Sequence, residues 1–258
     1  MTSELQRMQA QLAAAARHFF EYEILPPFVL LFNPDDPSPH TNYASLSGEP
    51  PPGALSYTLG RMEARFRARG RAPRLEYLED ALPGLTAALV ARGYQQEMQS
   101  LLMRCEPDEA RPGPTPLGLR LGRLGPAAPL EHFHAFREVQ WAAFGAHGAT
   151  PGMEATEQFR ARFADLWCYV AWQGEVPVGA GSLTPPHEGV AEVAGVATRP
   201  GYERRGIGSA LTARIMRDAF DAGVDLLFLT AANAGAGRIY ARLGFQPCGH
   251  GLAYSLPG

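Results

Sequence analysis

Apolar residues recur along the chain at two spacings, two apart and three to four apart, and the spacing switches repeatedly. Beyond residue 117 the pattern alternates in short blocks. Residues 118–124 read as a strand. Over 129–144, Leu130, Phe133, Phe136, Val139 and Trp141 or Ala143 fall on one side of a helix. A second short helix covers 153–163. Residues 167–173 and 176–183 are strand-like, with Gly174-Glu175 as a two-residue turn between them, and 190–198 gives a third strand. A helix over 206–222 stops at Gly223, a suitable cap. An apolar strand at 226–231, a helix at 235–243 closed by Gly244, and strand character over 245–256 complete this part.

The first hundred residues are less regular. The pattern predicts a helix over 4–20, a strand at 28–32, helices at 59–69 and 85–92, and strands at 74–78 and 96–105. Residues 34–52 are rich in Pro, Ser, Gly and Asp and read as a long irregular connection. Residues 106–116 carry four prolines, which excludes a helix or central strand and suggests an inter-domain linker. Laid over each other, the two parts match at a constant offset. Arg74–Leu78 followed by Gly93-Tyr94-Gln95 aligns with the strand at 226–229 followed by Gly244-Phe245-Gln246. Two copies of one fold are expected.

Composition narrows the chemistry. A chain of 258 residues with 46% hydrophobic content supports one large domain or two smaller ones. The net charge of −3 argues against a strongly basic nucleic-acid binder. All 23 basic residues are arginine, so neither a lysine Schiff base nor a Walker-type phosphate lysine is present. Cys105, Cys168 and Cys248 stand far apart, and His132-x-His134 has no ligand cluster around it, so no metal site or disulfide framework is expected. The apolar run at 24–32 is short and contains Pro26 and Pro27, and no secretory pattern precedes it. The expectation is a soluble, cytoplasmic protein.

The chemistry concentrates at 193–211. A strand runs into Arg199-Pro200-Gly201, then Glu203-Arg204-Arg205-Gly206-Ile207-Gly208, then a helix. Glycines at 206 and 208 let an anion approach the main chain, and the first helical turn leaves N–H groups unpaired. Those donors, the helix dipole and the adjacent arginines form a cradle for a pyrophosphate. A dinucleotide-binding oxidoreductase fits less well, because Leu211 stands where a third glycine belongs and no ribose-binding acid ends the next strand.

This segment resembles the first diagnostic motif of the GNAT N-acetyltransferase superfamily, with Glu203 departing from the family's usual Arg or Gln. Asn233, Ala236, Tyr240, Gly244 and Phe245 are similar to its second motif. The resemblance covers roughly residues 117–258. It implies an α/β (α+β) fold of two GNAT-like domains, each a mixed, mostly antiparallel sheet flanked by helices. The expected division is 1–105 as a degenerate GNAT-like domain, 106–116 as linker and 117–258 as the acetyltransferase domain. The cofactor implied is acetyl-CoA, a co-substrate. Main-chain groups of Val196, Ala197 and Thr198 would meet its pantetheine arm. Arg204, Arg205, Gly206, Ile207, Gly208 and Ser209 would hold its pyrophosphate, with Asn233 and Arg238 also on the cofactor side. Tyr240 would protonate the departing thiolate, and Glu192 is the candidate base for the incoming amine.

In the first copy Leu82 and Leu89 occupy the places of Asn233 and Tyr240, and Gly48-Glu49-Pro50-Pro51-Pro52-Gly53 replaces the glycine loop. Mycothiol synthases resemble this plan of one worn and one active copy. Acceptor contacts are expected from Trp141, Phe144 and His147. The reading is an acetyltransferase acting on a primary amine of a small molecule or peptide, as a monomer or homodimer, without nucleic-acid or membrane partners. The alternative is a non-catalytic acyl-CoA sensor.

Overall fold

The computed structural model describes residues 3–144 and 151–257. The chain divides into two compact units. The first holds Met1–Leu102, Thr230–Asn233 and Pro247–Gly258; the second holds Met103–Leu229 and Ala234–Gln246.

The first unit opens with helix α1 (Glu4–Ala16), started by a capping box in which Ser3 and Gln6 exchange hydrogen bonds. The helix stops four residues short of the expected end because Glu21–Leu25 forms a strand, β1, that sequence pattern did not suggest. β1 turns at Pro26-Pro27 into β2 (Phe28–Phe32). All five residues of β2 are buried, which explains its unbroken apolar run. Phe28, Leu30 and Phe32 face the main core with Phe66, Leu75 and Leu89, while Val29 and Leu31 pack against Ala13 and Ala16 of α1. The supposed irregular stretch contains a short 3-10 turn, Pro39–Thr41, and strand β3 (Tyr43–Leu46). Asn42 organises it, its side-chain N–H groups donating to the carbonyls of Asp36 and Ser38 at 2.7 and 2.8 Å. Then come α2 (Leu55–Ala68), β4 (Arg74–Leu78), α3 (Leu85–Ala91) and β5 (Gln95–Cys105). β1, β2 and β3 are antiparallel neighbours, and β3 runs parallel to β4.

The second unit starts with the proline-rich stretch. It has no regular element, but it lies along the unit's own surface: Arg111 N–H donates to the Leu243 carbonyl at 2.9 Å. A Cβ on Gly113 would come within 2.9 Å of the Ala213 Cβ. Strand β6 (Leu119–Leu124), helices α4 (Leu130–Ala143) and α5 (Met153–Arg162), and strands β7 (Trp167–Gln173), β8 (Val176–Leu183) and β9 (Val190–Thr198) follow. Helix α6 (Ile207–Asp221), β10 (Leu226–Ala231) and α7 (Ala234–Arg242) complete it. The sheet order is β6-β7-β8-β9-β10, antiparallel except for the parallel β9–β10 pair.

Strand alternation puts a helix on each face of this sheet. Ala180 of β8 packs in a core with Phe133, Phe136 and Val139 of α4. Its neighbour Gly179 faces the other way, where a Cβ would strike Ile207 and Leu211 of α6 at 2.6 and 2.7 Å. The absent side chain is what lets α6 settle onto the sheet.

The last strand, β11 (Gln246–Ser255), was grouped with residues 117–258 in the sequence reading. In the structure it pairs antiparallel with β4, Leu252 opposite Tyr77 and Tyr254 opposite Leu75, so residues 247–258 complete the first unit. That unit's order is β1-β2-β3-β4-β11-β5. Both halves follow strand, helix, positive-φ glycine, strand: β4, α3, Gly93 and β5 in one; β10, α7, Gly244 and β11 in the other. Among the described residues no helix is long and apolar enough to cross a membrane.

Candidate functional site

The site is built where β9 hands over to α6. Parallel pairing of β9 with β10 covers Val190–Glu192 against Leu226–Phe228 and then stops. Past that point β9 carries a bulge. Ala180 and Ser182 of β8 face Ala197 and Ala194, so β9 has one residue more than β8 over the same span. The extra residue is accommodated at Gly195, whose φ of +60° disfavours any side chain. Two side chains take the carbonyls that the broken ladder releases. Ser182 Oγ donates to Ala194 O, and Gln140 Nε2 of α4 donates to Gly195 O, each at 2.9 Å.

After Thr198 the chain turns. Arg199 N–H donates to Val178 O at 2.9 Å, and Tyr202 N–H returns to Arg199 O at 3.0 Å. Glu203, the departure from the family pattern, is used inside the loop: its Oε2 accepts the Gly201 N–H at 2.7 Å. Arg205 donates to Gly201 O at 2.8 Å, and its guanidinium lies 4.8 Å from the Tyr202 ring centre. Arg204, with a φ of 62°, is exposed.

Gly206 is the N-cap of α6 at φ 79°, ψ 5°, and no side chain caps the helix. The amides of Ile207, Gly208 and Ser209 therefore form the open first turn, and Ala210 N–H makes the first intrahelical bond, to Gly206 O at 3.0 Å. A Cβ on Gly208 would sit 3.8 Å from both Thr198 Oγ1 and Val196 Cγ1, an ordinary contact. The protein's own packing does not demand glycine at 208. The helix keeps a positive dipole end free of competing side-chain caps, with Arg204 and Arg205 beside it. These groups fit a pyrophosphate.

Val196, Thr198 and Gly208 are thus brought together at one corner. Ala197 differs: its side chain is buried in the α4 core, and it stands opposite Ala180 in the β8–β9 pairing. Glu192 is half-buried at the end of the parallel register, its N–H donating to Thr184 Oγ1 at 2.9 Å. Tyr240 lies on α7, edge-on to Phe245 with ring centres 6.0 Å apart, and burial raises its phenol above the ordinary tyrosine range. Arg238 is exposed on α7, and Asn233 is exposed immediately before it.

The expected acceptor contacts on α4 divide. Trp141 is half-buried, Phe144 is 62% exposed at the helix C-cap, and His147 lies outside the described residues. His132 packs near the Trp172 ring, whereas His134 Nδ1 meets Thr156 Oγ1 at 3.1 Å; the two imidazoles have separate surroundings. Among the described residues no group of three or more His, Cys, Asp or Glu could hold a metal. Cys168 is buried in the core, which pushes its thiol up to about 12.

Sequence reasoning missed Gln140, Ser182 and the Glu138–Arg199 pair at 3.7 Å, all of which brace β9. One signal was available: a glycine inside a strand pattern marks a bulge, and a bulge needs partners for its carbonyls.

Residues 133–245 match the sequence profile of the Acetyltransferase (GNAT) family. Among solved structures, a GCN5-related N-acetyltransferase from Kribbella flavida is similar over 100% of this chain and 97% of its own, at 25% identity and TM-score 0.82. A tandem GNAT protein from the clavulanic acid biosynthesis pathway, solved without AcCoA, matches over 90% of this chain and 79% of its own at 14% identity and TM-score 0.66. A GCN5-related N-acetyltransferase from Sphaerobacter thermophilus matches 98% of this chain and 92% of its own at 15% identity and TM-score 0.61. The last two are likenesses of fold. No match was found among curated proteins. Apart from residues 230–233, the profile match lies within the second unit, and the fold of the chain is that of GNAT proteins, tandem ones included.

Proposed function

We propose that this protein is an acetyl-CoA-dependent N-acetyltransferase with one cofactor site, in its second unit, and that its acceptor is a primary amine. The observation that carries the reading is the uncapped first turn of α6, opening beside a bulged strand whose pairing with β10 has ended. Amides of residues 207–209, aided by Arg204 and Arg205, bind the pyrophosphate. The main chain of Val196 to Thr198 accepts the pantetheine arm as an added strand. Acetyl-CoA supplies a thioester when bound. Tyr240, held protonated by burial, donates its proton to the leaving sulfur. Glu192, directly or through water, takes the proton of the incoming amine. Arg238, midway along α7, serves the cofactor side.

The first unit we read as a worn copy of the same fold that binds no cofactor. Leu89 is fully buried and Leu82 nearly so, both in its core rather than in a site. Helix α2 is preceded by Pro50, Pro51 and Pro52, which offer no N–H donors. Where β3 and β4 part, the buried Gln9 side chain already joins them, Oε1 accepting Leu78 N–H at 2.7 Å and Nε2 donating to Leu46 O at 3.2 Å.

Titration calorimetry with acetyl-CoA tests the binding claim, and release of free thiol across a panel of amines tests the transfer. One site per chain with thiol release is expected. Two equivalent sites would contradict the worn-copy reading. Binding without transfer to any amine would favour an acyl-CoA sensor, and no binding would end the proposal.

A further inference from the structure

Helix α4 holds β9 at two points. Gln140 Nε2 donates to Gly195 O at 2.9 Å, and Glu138 Oε2 lies 3.7 Å from Arg199 Nη2. Between those points lie Val196, Ala197 and Thr198, the main chain assigned above to the pantetheine arm. The Ala197 side chain is locked in the α4 core, so α4 controls the setting of this segment from behind. A bulge removes the ladder bonds that normally fix the direction of a strand's edge groups. Here the fixing has passed to side chains, and the bond to Gly195 comes from another element altogether. The fit is close: a Cβ on Gly195 would fall 2.4 Å from Gln140 Nε2.

We infer that Gln140 is a positioning residue for acetyl transfer: its amide holds the β9 bulge so that the 196–198 edge faces the pantetheine arm of the cofactor. Gln140 touches neither cofactor nor acceptor in this scheme. It acts through the Gly195 carbonyl. The inference rests on the function proposed above, and it separates two parts of the same ligand. The pyrophosphate is held by α6, which Gln140 does not reach in this way; the pantetheine arm is held by the edge that Gln140 sets.

The test uses the full chain and two ligands, acetyl-CoA and 3′-phosphoadenosine 5′-diphosphate, the fragment lacking pantetheine. Gln140→Leu keeps the side chain's bulk and removes its donor. Loss of a hydrogen bond of ordinary net strength predicts about a fivefold weaker acetyl-CoA Kd. The fragment's Kd should stay within about twofold and the thermal midpoint should change little, since the bond is partly solvent-accessible. In kinetics the loss should appear in KM for acetyl-CoA more than in kcat. Equal weakening of both ligands, or no weakening of either, overturns the inference. If the leucine variant fails to fold, Gln140→Glu replaces it, since its carboxylate is similar in shape and faces the carbonyl without a proton to give; the same contrast is expected and the same results overturn it. Wild-type protein that binds the fragment but not acetyl-CoA, or neither, refutes the proposed function itself, an outcome visible before any variant is made.

Discussion

At Tyr240, the acid proposed above, the environment favours the protonated phenol. A thiolate leaving group needs a proton donor that is still protonated at working pH. Burial moves the phenol's pKa upward, so the acid form persists over a wider range than for a free tyrosine. The sign follows directly: the protonated form that the proposed acid role needs is present below the raised pKa and lost above it, so a fall in kcat from this residue should come at higher pH than for an ordinary tyrosine. Tyr240→Phe should lower kcat by about 100-fold, the low end for general acid catalysis, and leave the acetyl-CoA Kd within about twofold. Steady-state kinetics with calorimetry on the same variant decides it. An equal loss in affinity would reduce Tyr240 to a packing partner of Phe245. The motifs that suggest these roles were legible in the sequence, because Gly206, Gly208 and Tyr240 sit at fixed spacings along the chain. Gln140 was not, because its partner Gly195 is remote in sequence and nothing in a helix pattern tells which strand a polar side chain will meet.

For the elements, hydrophobic period did most of the work. Strands at Phe28–Phe32, Arg74–Leu78, Trp167–Gln173, Val176–Leu183, Val190–Thr198 and Leu226–Ala231 stand where the pattern places them. β1 and β3 did not show, for physical reasons. β1 is a five-residue edge strand whose alternation of Glu21 and Glu23 with half-exposed Tyr22 and Ile24 is too short to stand out beside the helix before it. β3 is four residues long and is held by Asn42, a device invisible to periodicity. Helix α6 offers the clearest test at this scale. Gly208 has an ordinary helical conformation and room for a Cβ, so Gly208→Glu should fold normally by far-UV circular dichroism. Its carboxylate would face an arriving pyrophosphate, and like-charge opposition of several kcal/mol predicts more than about 100-fold loss of acetyl-CoA binding. Retained binding would show that the diphosphate is held elsewhere.

For the whole molecule, the strand, helix, glycine, strand order shared by the two halves was legible but the ownership of the last strand was not. Repeat matching aligns β5 with β11 and so assigns each to its own half. Pairing is decided by which edge buries the strand best, and β11 buries Leu252 and Tyr254 in the first unit's core, between β4 and β5. Deleting residues 247–258 should therefore damage the first unit. Two large buried side chains and one strand's pairing amount to more than about 5 kcal/mol, comparable with a small domain's whole stability. Differential scanning calorimetry should show the first unit's transition lost or the protein insoluble. An unchanged transition would mean that β4 is stable without its neighbour.

The same strand imposes an order on biosynthesis. β4 is made early, yet the segment that must lie against it leaves the ribosome only after residue 246 has been added. Until then the first unit carries an unsatisfied sheet edge beside an exposed apolar face, while the rest of the chain is still being translated. Folding around β4 thus waits on a segment made much later in the same chain, a long-range closure of the kind that slows folding and invites chaperone capture.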